Sequence, residues 1–392
     1  MAKISYSEAI SDEELKKNID EVVFDEDTCQ GSSVWEKMQL QQEVFNCLRR
    51  YDVLQELVED RTITEIMING PDAIFIEEKG AIRKWDKTFE SKEKLEDIVQ
   101  QIVSYANRVV NEASPIVDCR LPDASRVNVV LPPVALNGPI VTIRKFPEKA
   151  MTMEDLLSIG SVTEEVAAFL KKMVQAKMNL FISGGTGSGK TTFLNILSNY
   201  IPEEERIITI EDSAELQIQN VPNLVKLETR NANVEGNNAI SIRDLIKSAL
   251  RMRPDRIIVG EVRDGAAIDM LAALNTGHSG SMSTGHANSS KDMLSRLETM
   301  VLTGGMDMPL QAVRGQIASA IELIVHLGRL RDKSRRVLEI VEVLEMEQGE
   351  IKTQPLFVFQ EEGETEDGKV IGKLVPTGNV LQQTEKLQRA GF

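Results

Sequence analysis

The chain has 392 residues, 42% of them hydrophobic, with a formal net charge of -16 and a pI near 4.9. That length and apolar content predict two domains with real cores. The acidity leaves no general positive field for a nucleic-acid backbone, so direct nucleic-acid binding is not expected.

The cysteines Cys29, Cys47 and Cys119 are scattered and lack metal-type spacing, which fits a reducing cytoplasm better than a disulfide framework or a zinc site. The opening "MAKISYSEAISDEELKKNIDE" places acids where a signal peptide needs an unbroken apolar core, and no run of about 18 apolar residues occurs after it. The protein is not expected to span a membrane by itself. Nine Asp or Glu against three Lys within residues 1–30 suggest that 1–50 form an acidic, helical and weakly anchored leader.

From Tyr51 a helical period gives way to two strand-like runs, "EIMING" and "AIFIEE", then to the helical "KEKLEDIVQQIVSYANRVV" and the strands of "SRVNVVLPPVALNGPIVTIRKF". Residues 51–146 therefore read as a compact α+β domain. Pro147 breaks the pattern and places a linker at 147–152. In 153–392 the apolar strands "NLFISG", "RIITIED" and "RIIVGE" alternate with helical segments, which predicts an α/β fold with a mainly parallel, helix-flanked sheet. The acidic "EEGETEDG" at 361–368 reads as a solvated turn.

Between an apolar strand and a helical pattern lies G-x-x-x-x-G-K-T: Gly184, Gly185, Thr186, Gly187, Ser188, Gly189, Lys190, Thr191, followed by Thr192. Small residues let backbone N–H groups curl around phosphates at a helix N-terminus. Lys190 supplies a point charge to the terminal phosphates and the Thr191 hydroxyl reaches Mg²⁺, so ATP with Mg²⁺ is the expected ligand. Two apolar strands then deliver carboxylates to the same sheet edge, Glu211 with Asp212, and Glu261. One could orient or deprotonate the attacking water while another, Glu261 in the first instance, reaches the metal through water. The division of labour stays open.

"TGHSGSMSTGHANSS" holds His278 and His286, two of only three histidines. Their spacing shares no helical face and no Cys completes a shell, which disfavours a metal site. The segment is expected beside the nucleotide, where imidazole can donate to a phosphate or a carboxylate.

"GGTGSGKTT", "TIEDSAEL", "LRMRPDRIIVGEVRD" and "TGHSGSMSTGHANS", in this order, resemble the Walker A, Asp box, Walker B and His box of the secretion ATPase superfamily, which powers type II and type IV secretion and pilus assembly. "VDCRLPDASRVNVVLPPVALNGPIVTIRKF" and "RRVLEIVEVLEMEQGEI" further resemble the tight-adherence (Tad/Flp) pilus assembly ATPases. The resemblance spans roughly residues 50 to 360 and implies a RecA-like P-loop NTPase core preceded by a smaller α+β domain. It puts acidic roles on Glu211, Asp212 and Glu261, nucleotide sensing on His286 and His278, and transition-state arginines on Arg120, Arg126 and Arg144, with Arg230, Arg251 and Arg253 as weaker candidates. It also implies a hexameric ring on the inner face of the cell membrane, acting on a polytopic membrane platform. Alternatives are a type IV secretion traffic ATPase and a nucleotide-dependent scaffold with little turnover. Two departures stand out. Ala124 replaces a customary Gly, so its turn is expected to avoid positive φ, and Gly285 replaces a larger residue, which would loosen the loop bearing His286.

Overall fold

The computed structural model describes residues 11–24, 33–78, 80–146, 150–230, 238–305 and 308–392. Cys29, Pro147 and the 147–149 part of the expected linker lie outside them. The chain divides into two compact units, Met1–Lys149 and Ala150–Phe392.

In the first unit the leader sequence forms α1 (Asp12–Val23) and α2 (Val34–Arg49), each started by a serine, Ser11 and Ser33, whose hydroxyl accepts a first-turn N–H. Leu15, Ile19 and Val23 of α1 meet Phe45 of α2 in a small core of their own. Lys94 Nζ donates to the Cys47 carbonyl and Lys87 pairs with Glu43, so α2 is tied to the segment 87–94. After α3 (Leu54–Glu59) come β1 (Ile63–Asn69), β2 (Ile74–Glu78), β3 (Ala81–Lys84), α4 (Lys92–Tyr105), β4 (Ile116–Arg120), β5 (Arg126–Val130) and β6 (Ile140–Arg144). The strands make an antiparallel sheet in the order β3-β2-β1-β6-β5-β4. Leu95, Ile98, Val99 and Ile102 recur at helical spacing on α4 and bury against Ile66, Ile68, Val127 and Val141 of the sheet.

The β4–β5 turn corrects one expectation. Ala124 has φ +68 despite its methyl group. Its N–H donates to the Leu121 carbonyl, Leu121 N–H donates to Ser125 O, and the Asp123 carboxylate accepts from both Ser125 N–H and Oγ. This closed turn demands left-handed backbone whatever side chain occupies it.

The second unit runs α5 (Met153–Ser158), α6 (Glu164–Gln175), β7 (Leu180–Gly184), α7 (Lys190–Ser198), β8 (Ile207–Glu211), β9 (Leu224–Glu228), α8 (Ile242–Ala249), β10 (Arg256–Val259), α9 (Ala266–Asn275), β11 (Met282–His286), α10 (Ser290–Thr303), α11 (Leu310–Ala320), β12 (Leu323–Arg329), β13 (Arg335–Glu347), β14 (Glu350–Glu364), β15 (Val370–Pro376) and α12 (Glu385–Arg389). The sheet order is β15-β14-β13-β12-β7-β11-β10-β8-β9. From β12 to β9 every pairing is parallel, and β13, β14 and β15 extend the sheet as an antiparallel meander. β7, β8 and β10 are buried throughout, as parallel strands covered on both faces must be. One core, with Leu170, Leu194 and Leu197, lies on one face, and another, with Ile246, Leu271 and Leu297, on the other. The first half of the expected solvated turn at 361–368 is the end of β14, where Glu361 and Glu364 pair with Arg331, and 365–368 form the turn into β15.

Candidate nucleotide site

β7 ends at Gly184 and α7 begins at Lys190, so the phosphate motif is the whole strand-to-helix connection. Gly187 and Gly189 take φ +70 and +94, left-handed values that suit glycine at these two turning points. α5, α6, α8 and α10 are each capped by a Ser or Thr hydroxyl, whereas α7 starts from Gly189 with no side-chain cap. Its first N–H groups therefore face the loop without a side-chain acceptor, an arrangement suited to an anion.

Lys190 is 7% exposed and its Nζ donates to the carbonyls of Gly184 and Gly185 at 3.1 and 2.9 Å. It also lies 3.2 Å from His286 Nδ1. Burial lowers the Lys190 pKa, opposed by the Glu261 carboxylate. His286 Nε2 stands 2.7 Å from Glu261 Oε1, which is shielded from solvent and accepts no other hydrogen bond among the described residues. Burial, then the Lys190 charge, lowers the His286 pKa, against the raising effect of the Glu261 carboxylate. With Nδ1 accepting from Lys190, the ring proton is assigned to Nε2, facing Glu261.

The other Glu261 oxygen accepts from Arg263 Nε and Nη2 at 2.9 and 2.6 Å, and Arg263 Nη1 lies 3.7 Å from Asp212. Glu211 closes β8 at 3% exposure. Its Oε1 accepts the N–H groups of Glu215 and Leu216 at 2.8 and 3.0 Å, while Oε2 is buried with no partner among the described residues. Burial pushes its carboxyl up to about 7, against the lowering effect of those two N–H groups. Gly260 makes room for it: a Cβ there would lie 2.8 Å from Glu211 Cγ.

The structure thus brings Lys190, Glu211, Asp212, Glu261 and His286 to the carboxyl edge of the parallel strands. His278 is not among them. β11 pairs with β7 so that Met282 faces Leu180 and His286 faces Gly184, and His278 precedes Met282 at the opposite edge. There its Nδ1 contacts the Ala273 carbonyl and its own carbonyl accepts from Ser281 Oγ. The eight-residue spacing crosses the sheet, a strand length of about 13 Å between Met282 and His286 alone. The reading of Gly285 is also corrected. His286 ends a strand, and a Cβ on Gly285 would meet Met293 Cε and Sδ at 2.9 Å and Phe181 at 3.0 Å, so glycine there permits close packing.

Three residues that sequence reasoning did not single out touch this site. Arg263 holds Glu261. Arg335 Nε donates to the Gly187 carbonyl at 2.9 Å. His326 on β12 is buried, with Nδ1 2.8 Å from Ser183 Oγ, one residue before Gly184. Arg263 comes two residues after Glu261 and was legible as its neighbour, whereas Arg335 and His326 become neighbours only through the pairing of β12 with β7 and β13.

In the first unit, Arg120 pairs across the sheet with Arg126, and Arg126 with Arg144. The three therefore form one cross-strand row, which continues to Glu65 on β1. Arg120 also donates to the Ala124 carbonyl at 3.3 Å.

Magnesium prefers oxygen ligands. Thr191 in the first turn of α7 and Glu261, with its unmatched Oε1, are donors of that kind, so these residues fit the ion. When bound, it would neutralise charge on the phosphates.

The chain matches the family described as "Type II/IV secretion system protein" over residues 49–370. It is 35% identical over 306 residues to a putative conjugal transfer protein of Mycobacterium tuberculosis, covering 76% of this chain and 86% of that one. It is 32% identical over 326 residues to the type IV secretion system protein VirB11 of Bartonella henselae, covering 73% and 90%. The solved structure of the pilus retraction motor PilT with bound ADP aligns with a TM-score of 0.55 at 17% identity over 87% of each chain, a likeness of fold. The chain belongs to the type II/IV secretion system protein family of ATPases.

Proposed function

We propose that the protein is a Mg²⁺-dependent ATPase that drives a type IV secretion or conjugation machine, the reading that the names of its relatives favour. The observation that carries its ATPase part is the run of polar contacts from Lys190 through His286, Glu261 and Arg263 to Asp212 at the phosphate loop. A triphosphate in the loop gives Lys190 a better partner than two carbonyls. His286 then loses its Lys190 contact and is free to report the terminal phosphate to Glu261. Glu261 and Glu211 orient the attacking water, and Glu211, with its carboxyl at about 7, exchanges a proton near neutrality. Gly184 to Thr192 cradle the nucleotide.

Arg120, Arg126 and Arg144, which share one cross-strand row, supply guanidinium groups to the transferring phosphoryl. A hexameric ring at the inner face of the membrane lets one subunit's arginines serve a neighbour, with a polytopic membrane protein receiving the motion. A second reading, pilus assembly of the tight-adherence kind, is favoured by the resemblance of residues 117–146 and 335–351.

Subunit mixing tests the ring. Arg126→Ala and Glu261→Gln are each expected to be inactive, and an equal mixture is expected to regain about a quarter of wild-type turnover, the share of interfaces that pair one intact half from each. A mixture no more active than its parts contradicts arginine action between subunits.

A further inference from the structure

A polar row crosses three strands at the foot of the phosphate loop. Ser183 of β7 pairs in register with His326 of β12, and His326 with Glu339 of β13. Gly285 of β11 stands opposite Ser183 as the fourth member, and its lack of a side chain lets Met293 of α10 approach the same face. His326 is 4% exposed, with Nδ1 2.8 Å from Ser183 Oγ. Burial lowers its pKa, opposed by the Glu339 carboxylate and by a hydrogen bond to the Asn288 backbone. Glu339 Oε1 in turn accepts the Ser290 N–H at 3.0 Å.

These contacts converge on the four residues after His286. Ala287 N–H donates to the Gly184 carbonyl at 3.4 Å, Asn288 meets His326, and Ser290, the first residue of α10, meets Glu339. The Ser290 N–H is one of the open donors of a helix start, where a carboxylate is a charge-assisted partner. β11 ends at His286, so beyond it these contacts hold the backbone in place of a strand ladder.

We infer that His326 is a positioning residue for ATP hydrolysis: with Glu339 it fixes the segment 287–290, and through that segment it sets where His286 stands between Lys190 and Glu261. The inference rests on the ATPase reading and on the part given there to His286. Moving a reacting group by about 1 Å costs about a hundredfold in rate, so a ring buried beneath the site governs turnover without touching the nucleotide. A histidine that only stabilised the sheet would act on folding and leave the rate of each folded site unchanged.

The test is a double-mutant cycle in the full chain, read as steady-state ATP hydrolysis with kcat and KM separated. His326→Phe keeps a ring and removes its polar contacts. It is expected to lower kcat about tenfold to a hundredfold and to change KM by less than about threefold. In a His286→Ala chain the same change is expected to lower kcat by less than about threefold further, because the residue it positions is gone. Glu339 is half-buried, so Glu339→Ala is a variant that the core tolerates, and it decides alone if His326→Phe does not fold. Its expected loss of kcat is about threefold to tenfold in the wild type and less than about twofold in His286→Ala. Losses as large without His286 as with it overturn the inference, as does wild-type kcat in the folded variants. A raised KM with kcat kept overturns it too, since the row would then act on nucleotide affinity through Ser183 and the phosphate loop. A His286→Ala chain as fast as the wild type overturns it together with the part given to His286. A wild type that releases no phosphate overturns it together with the ATPase reading.

Discussion

Glu211→Gln isolates the cost of a buried carboxylate at the head of β8. Burial holds the Glu211 carboxyl at about 7 in the folded chain against an ordinary 4.5. The folded state thus binds this proton more tightly than the unfolded state, so its stabilising contribution is complete below the unfolded value and is lost as pH rises through about 7. The gap of about 2.5 at about 1.4 kcal/mol per unit amounts to about 3 kcal/mol. Glutamine cannot ionise, and its amide oxygen can keep accepting from the Glu215 and Leu216 N–H groups. Denaturant unfolding of both proteins at about pH 5 and about pH 8 should therefore show the variant gaining about 2 to 3 kcal/mol relative to wild type at the higher pH. A stability difference that stays constant to within about 0.5 kcal/mol would refute the reasoning, since Glu211 would then ionise as easily folded as unfolded.

Arg256 is fully buried and its guanidinium pairs with Glu205 at 2.6 and 2.9 Å, so Glu205→Gln should leave an uncompensated charge and cost about 3 kcal/mol in chemical unfolding; a loss under about 1 kcal/mol would contradict the pairing. Gly285→Ala should lower stability by about 1 to 3 kcal/mol through contact with Met293 and Phe181, and should cost less when made in a Met293→Ala background than in the wild type; an equal cost in both backgrounds would show that contact with Met293 is not the cause. Ala124→Gly should raise stability by up to about 1 kcal/mol, because relief of left-handed backbone exceeds the added unfolded-state freedom; a lower melting temperature would contradict this.

The parts of the site legible in sequence were those fixed by short-range pattern. A phosphate loop needs small residues between a buried strand and a helix, and Gly184 to Thr192 satisfy this over nine contiguous positions. The carboxylates Glu211 and Glu261 were readable because each comes after a short apolar run rich in β-branched residues, the pattern of a buried strand. The antiparallel meander of β13 to β15 was not read, since a strand buried on one face alternates like an exposed helix edge over short windows, and its partner lies across a two-residue turn at Gln348 and Gly349. His278 and His286 looked equivalent because composition does not record the direction of β11, and five residues of strand separate the two edges of the sheet. Ala124 shows the opposite limit. Residue preference disfavours φ +68 for alanine, but two backbone hydrogen bonds and the Asp123 carboxylate impose it.

Phosphate release from ATP by the purified full chain, with and without Mg²⁺, tests the ATPase most directly, with Glu261→Gln measured in parallel for both turnover and nucleotide binding. The expected result is Mg²⁺-dependent turnover in the wild type and its loss by at least about a hundredfold in Glu261→Gln, with nucleotide still bound. Turnover that survives in Glu261→Gln, or a wild type that binds ATP and releases no phosphate, would contradict it.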